Sequence, residues 1–171
     1  LVDAYRFRSE SLLDQVNPDL KDAEKDRVLA RVNQEQNKIQ KDIDKNLKKA
    51  FKIYKIITSR YDLGPIVEEA YLAMADLYKK ESQIKKAAEI YQSFLEKFPK
   101  SSYLGTVWLY LGEFHFNDGN ILAAENAYKK TVKYDKGSAK TYAIYKYAWC
   151  KYNLNEFSKA RKIFAKVLGK Y

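Results

Sequence analysis

A chain of 171 residues suits one globular domain or one short solenoid. Its single cysteine, Cys150, excludes an intrachain disulfide and a cysteine-rich metal site, and no apolar run approaches the ~20 residues that a membrane-spanning helix needs. The net charge of +10, mostly lysine, fits a solvated lysine-coated surface or attraction to nucleic acid, anionic lipid or an acidic partner, but sparse arginine counts against base-specific readout.

Abundant tyrosine and phenylalanine, with only 6 Gly and 3 Pro confined to candidate boundaries, read as an all-helical chain. Leu1 is not an initiator methionine, which reads as a processed chain or an excised piece whose leader, anchor or neighbouring domain is out of view. Residues 2–16 are amphipathic, and Asn17-Pro18-Asp19 then reads as a cap followed by proline in a first helical turn. From 20 to 61 there is neither Gly nor Pro. Leu29, Val32, Ile39, Ile43, Ala50, Ile53 and Ile57 recur at threes and fours, which predicts a long helix. The alternative is two helices turning in the polar stretch 40–44. The end of this segment, with Ala50, Phe51, Tyr54 and Ile57, reads as the second helix of a degenerate repeat. Lys38, Lys41, Lys45, Lys48, Lys49, Lys52 and Lys55 crowd it. Diluted by Asp42 and Asp44, they are expected to spread around the axis without forming a single basic stripe.

Asp62-Leu63-Gly64-Pro65 is a stop and restart. Three regular units follow, at about 65–100, 101–137 and 138–171. Helices are predicted at 65–79 and 84–97, at 103–116 and 121–134, and at 139–152 and 157–168. The turns between units fall at 98–102, with serine caps available, and at Lys136-Gly137-Ser138. Within units they fall at Asn117-Asp118-Gly119-Asn120 and at 153–156.

The units share one triplet, a small residue, then alanine, then an aromatic: Ala75, Ala87 and Tyr91; Gly112, Ala124 and Tyr128; Ala148, Ala160 and Phe164. Spacing within each is twelve and four. Offsets between units are 37 and 36, a period that marks stacked repeats. These units resemble tetratricopeptide repeats. In that family a small residue in the first helix and an alanine in the second let the helices pack closely, with aromatics filling between. Tyr71, Tyr78 and Pro99 in the first unit, and Trp108 and Leu111 in the second, match further family positions. The third departs, with Ile144 and Lys151 where bulky aromatics are usual. The resemblance implies an all-α, right-handed α-solenoid over 65–171, preceded by an N-terminal long helix within 1–64. The stretched period and the phrasing of 91–120 and 142–164 are similar to repeats of bacterial envelope proteins. Examples are the lipoprotein that assists outer-membrane barrel assembly, the periplasmic Tol-associated coordinator, and gliding-motility proteins.

The family binds peptides along the concave face of its first helices, and the register implies the residues that line it here. They are Leu72, Asp76, Lys79 and Lys80; Thr106, Leu109, Tyr110, Glu113 and Phe116; and Tyr142, Tyr145, Lys146, Trp149 and Tyr152. Tyrosine and tryptophan dominate binding hot spots, so this aromatic wall reads as a docking site for a partner segment. The competing reading packs several of these rings against a further repeat or the long helix. Chaperone-binding members clamp a carboxylate with Lys and Asn. The matching positions hold Leu72, Asp76, Tyr110, Tyr142 and Lys146, and only Lys146 fits.

No catalytic constellation emerges. His115, the only histidine, takes an aromatic's place and reads as a core residue. Cys150 reads as a structural thiol without an evident base. Glu68 and Glu69 suit a helix start. Neither a metal nor a cofactor is implied. The expectation is a non-enzymatic scaffold that binds a protein or peptide, with no transmembrane segment in the chain and with membrane association through an absent anchor or a partner. The expected compartment is the periplasm or cell envelope, with the cytoplasm as alternative. The rival function is a basic helical module that binds nucleic acid or an anionic membrane surface.

Overall fold

The computed structural model describes residues 22–61, 64–135 and 137–169. The amphipathic stretch 2–16 and the start signal Asn17-Pro18-Asp19 lie outside them, as do Asp62, Leu63 and Lys136. Seven helices and no strand occur among the described residues: α1 (Asp22–Arg60), α2 (Pro65–Lys80), α3 (Ile84–Lys97), α4 (Leu104–Asn117), α5 (Ile121–Tyr134), α6 (Ser138–Asn153) and α7 (Phe157–Leu168).

Helix α1 is continuous over 39 residues, roughly 60 Å at the usual rise. The stretch 40–44, polar except for the buried Ile43, does not break it. The Gln40 amide donates to Asp44 one turn on at 2.9 Å, and Asn46 donates to the Asp42 carbonyl at 2.9 Å. Val32, Ile39, Ile43 and Leu47 are buried and share one face. Here one expectation is overturned. The lysines run 38, 41, 45, 48, 52, 55, the same three–four alternation as the apolar stripe, so an unbroken helix returns each of them to one side. With Lys49, Arg27 and Arg31 they fall within an arc of about 120° opposite the buried face, and Asp42 and Asp44 flank the arc instead of interrupting it. All nine cations are exposed. A single basic stripe does form.

The chain divides into two compact units after Ile56. In the second, α2–α3, α4–α5 and α6–α7 are helical hairpins, and each helix packs on the next, α3 on α4 and α5 on α6 carrying the chain from hairpin to hairpin. This is an all-α solenoid. Its core begins with Val67, Ala75, Ala87, Tyr91, Phe94 and Phe98, with Ile57 at the end of α1 against it, and continues through Val107, Leu111 and Ala127. Ala124, Tyr128, Ala143 and Cys150 form a second cluster between α5 and α6. The small residue of the triplet has a visible purpose in the middle hairpin. A Cβ on Gly112 would lie 2.6 Å from the Tyr128 ring, so only glycine lets α5 approach this closely.

The turns inside the three hairpins are copies of one motif. Ser82, Gly119 and Asn155, spaced by 37 and 36, have φ of 58°, 79° and 60°. Around each, the next residue's N–H donates five residues back (Gln83 to Tyr78, Asn120 to His115, Glu156 to Lys151) at 2.8–2.9 Å. The turn residue itself donates three back, to Lys79, Phe116 and Tyr152. This Schellman pattern satisfies the last carbonyls of each first helix.

Candidate protein-binding face on the first helices

The first helices α2, α4 and α6 carry every residue assigned to the binding face, but the structure treats them differently along the stack. In the first hairpin Asp76 accepts from the Tyr91 hydroxyl at 3.2 Å and pairs with Lys79 at 3.2 Å. The Lys79 ammonium sits 3.6 Å above the ring of Tyr110, which in turn stacks on Tyr91 at 5.1 Å. In the second, Glu113 accepts from the Tyr128 hydroxyl at 2.6 Å and pairs with Lys146 of α6 at 3.3 Å. Lys146 also lies 4.1 Å over Phe116, and Phe116 meets Tyr128 edge-on. Leu72 and Leu109 are half-buried against the two core clusters. Burial first, and the neighbouring carboxylate next, push the Tyr91 and Tyr128 phenols far above their ordinary range, so both hydroxyls remain donors.

Both acid–phenol bonds span fifteen residues. At the matching positions the third hairpin has Trp149 and Phe164, whose rings meet edge-on at 5.5 Å. An apolar contact has replaced the polar one, and the aromatics around it are open. Tyr142, Tyr145, Trp149 and Tyr152 keep 43%, 40%, 37% and 50% of their surface exposed. They touch in series at 6.4, 6.3 and 5.6 Å, and the series ends on Phe157 at 5.2 Å. The accessible aromatic part of the predicted face is therefore this ladder on α6. The residues of α2 and α4 mainly fasten one hairpin to the next. Lys146, the one residue that suits a carboxylate clamp, is engaged by Glu113.

A buried ionic cluster escaped the sequence reading. Lys151, in the place of a core aromatic, is 7% exposed. It donates to Glu125 of α5 at 3.0 Å and to Glu156 at 2.7 Å. Lys129 pairs with Glu125 at 2.5 Å, and Lys159 pairs with Glu156. Burial alone would raise the Glu125 carboxyl, but the bonds from Lys129 and Lys151 hold it below its usual range. The bonds from Lys151 and Lys159 hold Glu156 at about 2. The bond to Glu156 raises Lys151 further. A signal was present in the sequence: Glu125 interrupts the apolar face of α5 between Ala124 and Tyr128.

The remaining candidates are structural. Cys150 is fully buried, and burial pushes its thiol up to about 11. His115 is half-buried beside Phe114, and its carbonyl closes the α4–α5 turn. Glu68 accepts from Ser101 at 2.5 Å, tying α2 to the turn after α3. Among the described residues no cluster of His, Cys, Asp and Glu could hold a metal ion, and no helix is long and apolar enough to cross a membrane.

Stacked helical hairpins with an open aromatic face define a helical-repeat solenoid. The family model of the tetratricopeptide repeat matches residues 69–101 and 142–171, so these two segments, in the first and third hairpins, are similar to tetratricopeptide repeats. Such repeats are generally non-catalytic protein–protein interaction modules. No curated protein shows significant similarity to the chain.

Proposed function

We propose that this protein is a non-enzymatic adaptor that holds a segment of a partner protein against the α6 ladder. The observation that carries this is the run of four touching, exposed aromatics, Tyr142, Tyr145, Trp149 and Tyr152, on a helix anchored by buried Ala143, Ala148 and Cys150. A contiguous exposed apolar patch of this kind marks an interaction site. Packing on Phe164 holds Tyr145 and Trp149 in place before binding, which lowers the ordering cost that the complex bears. Replacing both by alanine removes partner capture while helicity by circular dichroism stays. Capture that survives the double substitution refutes this face. The stretched repeat offsets favour a place in a bacterial envelope assembly serving outer-membrane biogenesis, division or motility. Cell fractionation tests this: recovery from the cytosol alone refutes it.

The basic stripe of α1 favours a second reading, adsorption to a polyanion. Exposed cations arrayed along one helix face give binding that falls steeply with salt. A titration against anionic vesicles and duplex DNA at increasing salt decides. Binding that is absent at low ionic strength, or insensitive to salt, refutes this reading.

A further inference from the structure

The second and third hairpins correspond at an offset of 36, and two substitutions between them open a site. In the second, Trp108 packs against the core, with the Lys130 ammonium 4.0 Å above its ring, and Leu104 is buried at the start of α4. Thirty-six residues on, Ile144 stands in place of the indole and Lys140 in place of the leucine, while Lys166 repeats Lys130. Tyr147, Ile163 and Val167 are larger than their counterparts Leu111, Ala127 and Thr131, yet they do not close the gap. A cavity of about 340 Å³ remains between α5, α6 and α7, walled by Val132, Ile144, Tyr147, Ile163 and Val167. Lys129, Lys140 and Lys166 stand on its rim. Lys129 is committed to Glu125, but Lys140 and Lys166 have no side-chain partner among the described residues.

We infer that this cavity receives an aromatic side chain, tryptophan above all, presented by an acidic segment of a protein partner. The chain supplies its own template for the ring, an indole beneath a lysine at the equivalent place in the preceding hairpin. The walls are aliphatic and aromatic, which suits a buried anchor. The unpartnered lysines at the mouth suit flanking carboxylates and disfavour a basic segment. The site is separate from the exposed ladder: Lys140, Ile144 and Tyr147 lie about 180° around α6 from Tyr142, Tyr145 and Trp149.

The test uses the full chain and fluorescein-labelled peptides, Asp-Asp-Trp-Asp-Asp against Asp-Asp-Ala-Asp-Asp, by anisotropy at low ionic strength. The tryptophan peptide is expected to bind at least roughly tenfold tighter than the alanine one. Ile144→Trp, which refills the cavity from within, is expected to remove at least roughly tenfold, and Lys140→Glu with Lys166→Glu to weaken binding further. Tyr145→Ala with Trp149→Ala is expected to leave the affinity within about twofold, which separates this site from the α6 ladder. Should Ile144→Trp not fold, the methyl resonances of Ile144 and Ile163 decide, because a seated ring must shift them. Equal binding of the two peptides, indifference to Ile144→Trp in a folded variant, or unmoved methyls overturn the proposal. So does binding of free N-acetyltryptophan as tightly as the peptide, which assigns the cavity to a small molecule instead.

Discussion

The three hairpin turns form a mutational series that the chain has already begun. The backbone at Ser82, Gly119 and Asn155 is left-handed in all three, but the residues differ in what that costs. A Cβ in this region costs roughly 1–2 kcal/mol, partly relieved for asparagine and absent for glycine. Glycine in turn loses roughly 0.5–1 kcal/mol more backbone freedom on folding. The Ser82 hydroxyl has no partner among the described residues, so nothing else is lost by removing it. Ser82→Gly is therefore expected to stabilise the chain by about 0.5–1 kcal/mol. For a chain of this size that raises the melting temperature by roughly 1–4 °C. Gly119→Ser is expected to lose a similar amount, and Asn155→Gly to change little. Urea unfolding followed by circular dichroism reads all three. If Ser82→Gly and Gly119→Ser shift the midpoint in the same direction, or neither shifts it, left-handed strain does not govern these turns.

Gly112→Ala drives a methyl into the Tyr128 ring, which Glu113 holds in place, and should cost about 1–3 kcal/mol in urea unfolding. An unchanged midpoint means α4 and α5 are not in close contact there. The Glu156 carboxyl sits at about 2 when folded against an ordinary 4.5, so its contribution is complete above 4.5 and is lost as pH falls toward 2. The urea midpoint should fall less steeply over that range in Glu156→Gln than in the unmodified chain. Equal slopes remove Glu156 from the acid response.

The parts of the fold written as a period were legible. The bounds expected at 84–97, 121–134 and 157–168 coincide with α3, α5 and α7, because Asn and Gly at the turns and the returning alanines leave little freedom. α2, α4 and α6 each end one residue beyond the expected bound, where the Schellman turn completes the helix, and α4 and α6 also start one residue away from it. What sequence spacing hid is what joins residues of no fixed separation. Lys151 finds Glu125 26 residues back and Glu156 five ahead, and neither interval belongs to the repeat. The basic stripe of α1 was legible in principle, since 38, 41, 45, 48, 52 and 55 carry a helical period. Counting the acids nearby obscured that they lie on its flanks. For the binding face, position along the helix was readable and occupancy was not. Phe116 and Tyr152 sit alike in the register, yet Phe116 has Lys146 over its face and Tyr128 at its edge while Tyr152 is open to solvent.

The two acid–phenol bonds also give the solenoid its own optical reporters. Against an ordinary value of 10.0, the Tyr91 and Tyr128 phenols are held protonated well into alkali, and each ionises only when its hairpin opens. The third hairpin has Trp149 and Phe164 at those positions, and its raised phenol, Tyr142, shifted by burial and by Glu113, stands exposed on α6. Near-ultraviolet absorbance in rising alkali thus carries a delayed rise from opening of the first two hairpins, while in a Trp108→Phe background the emission of Trp149 follows the third.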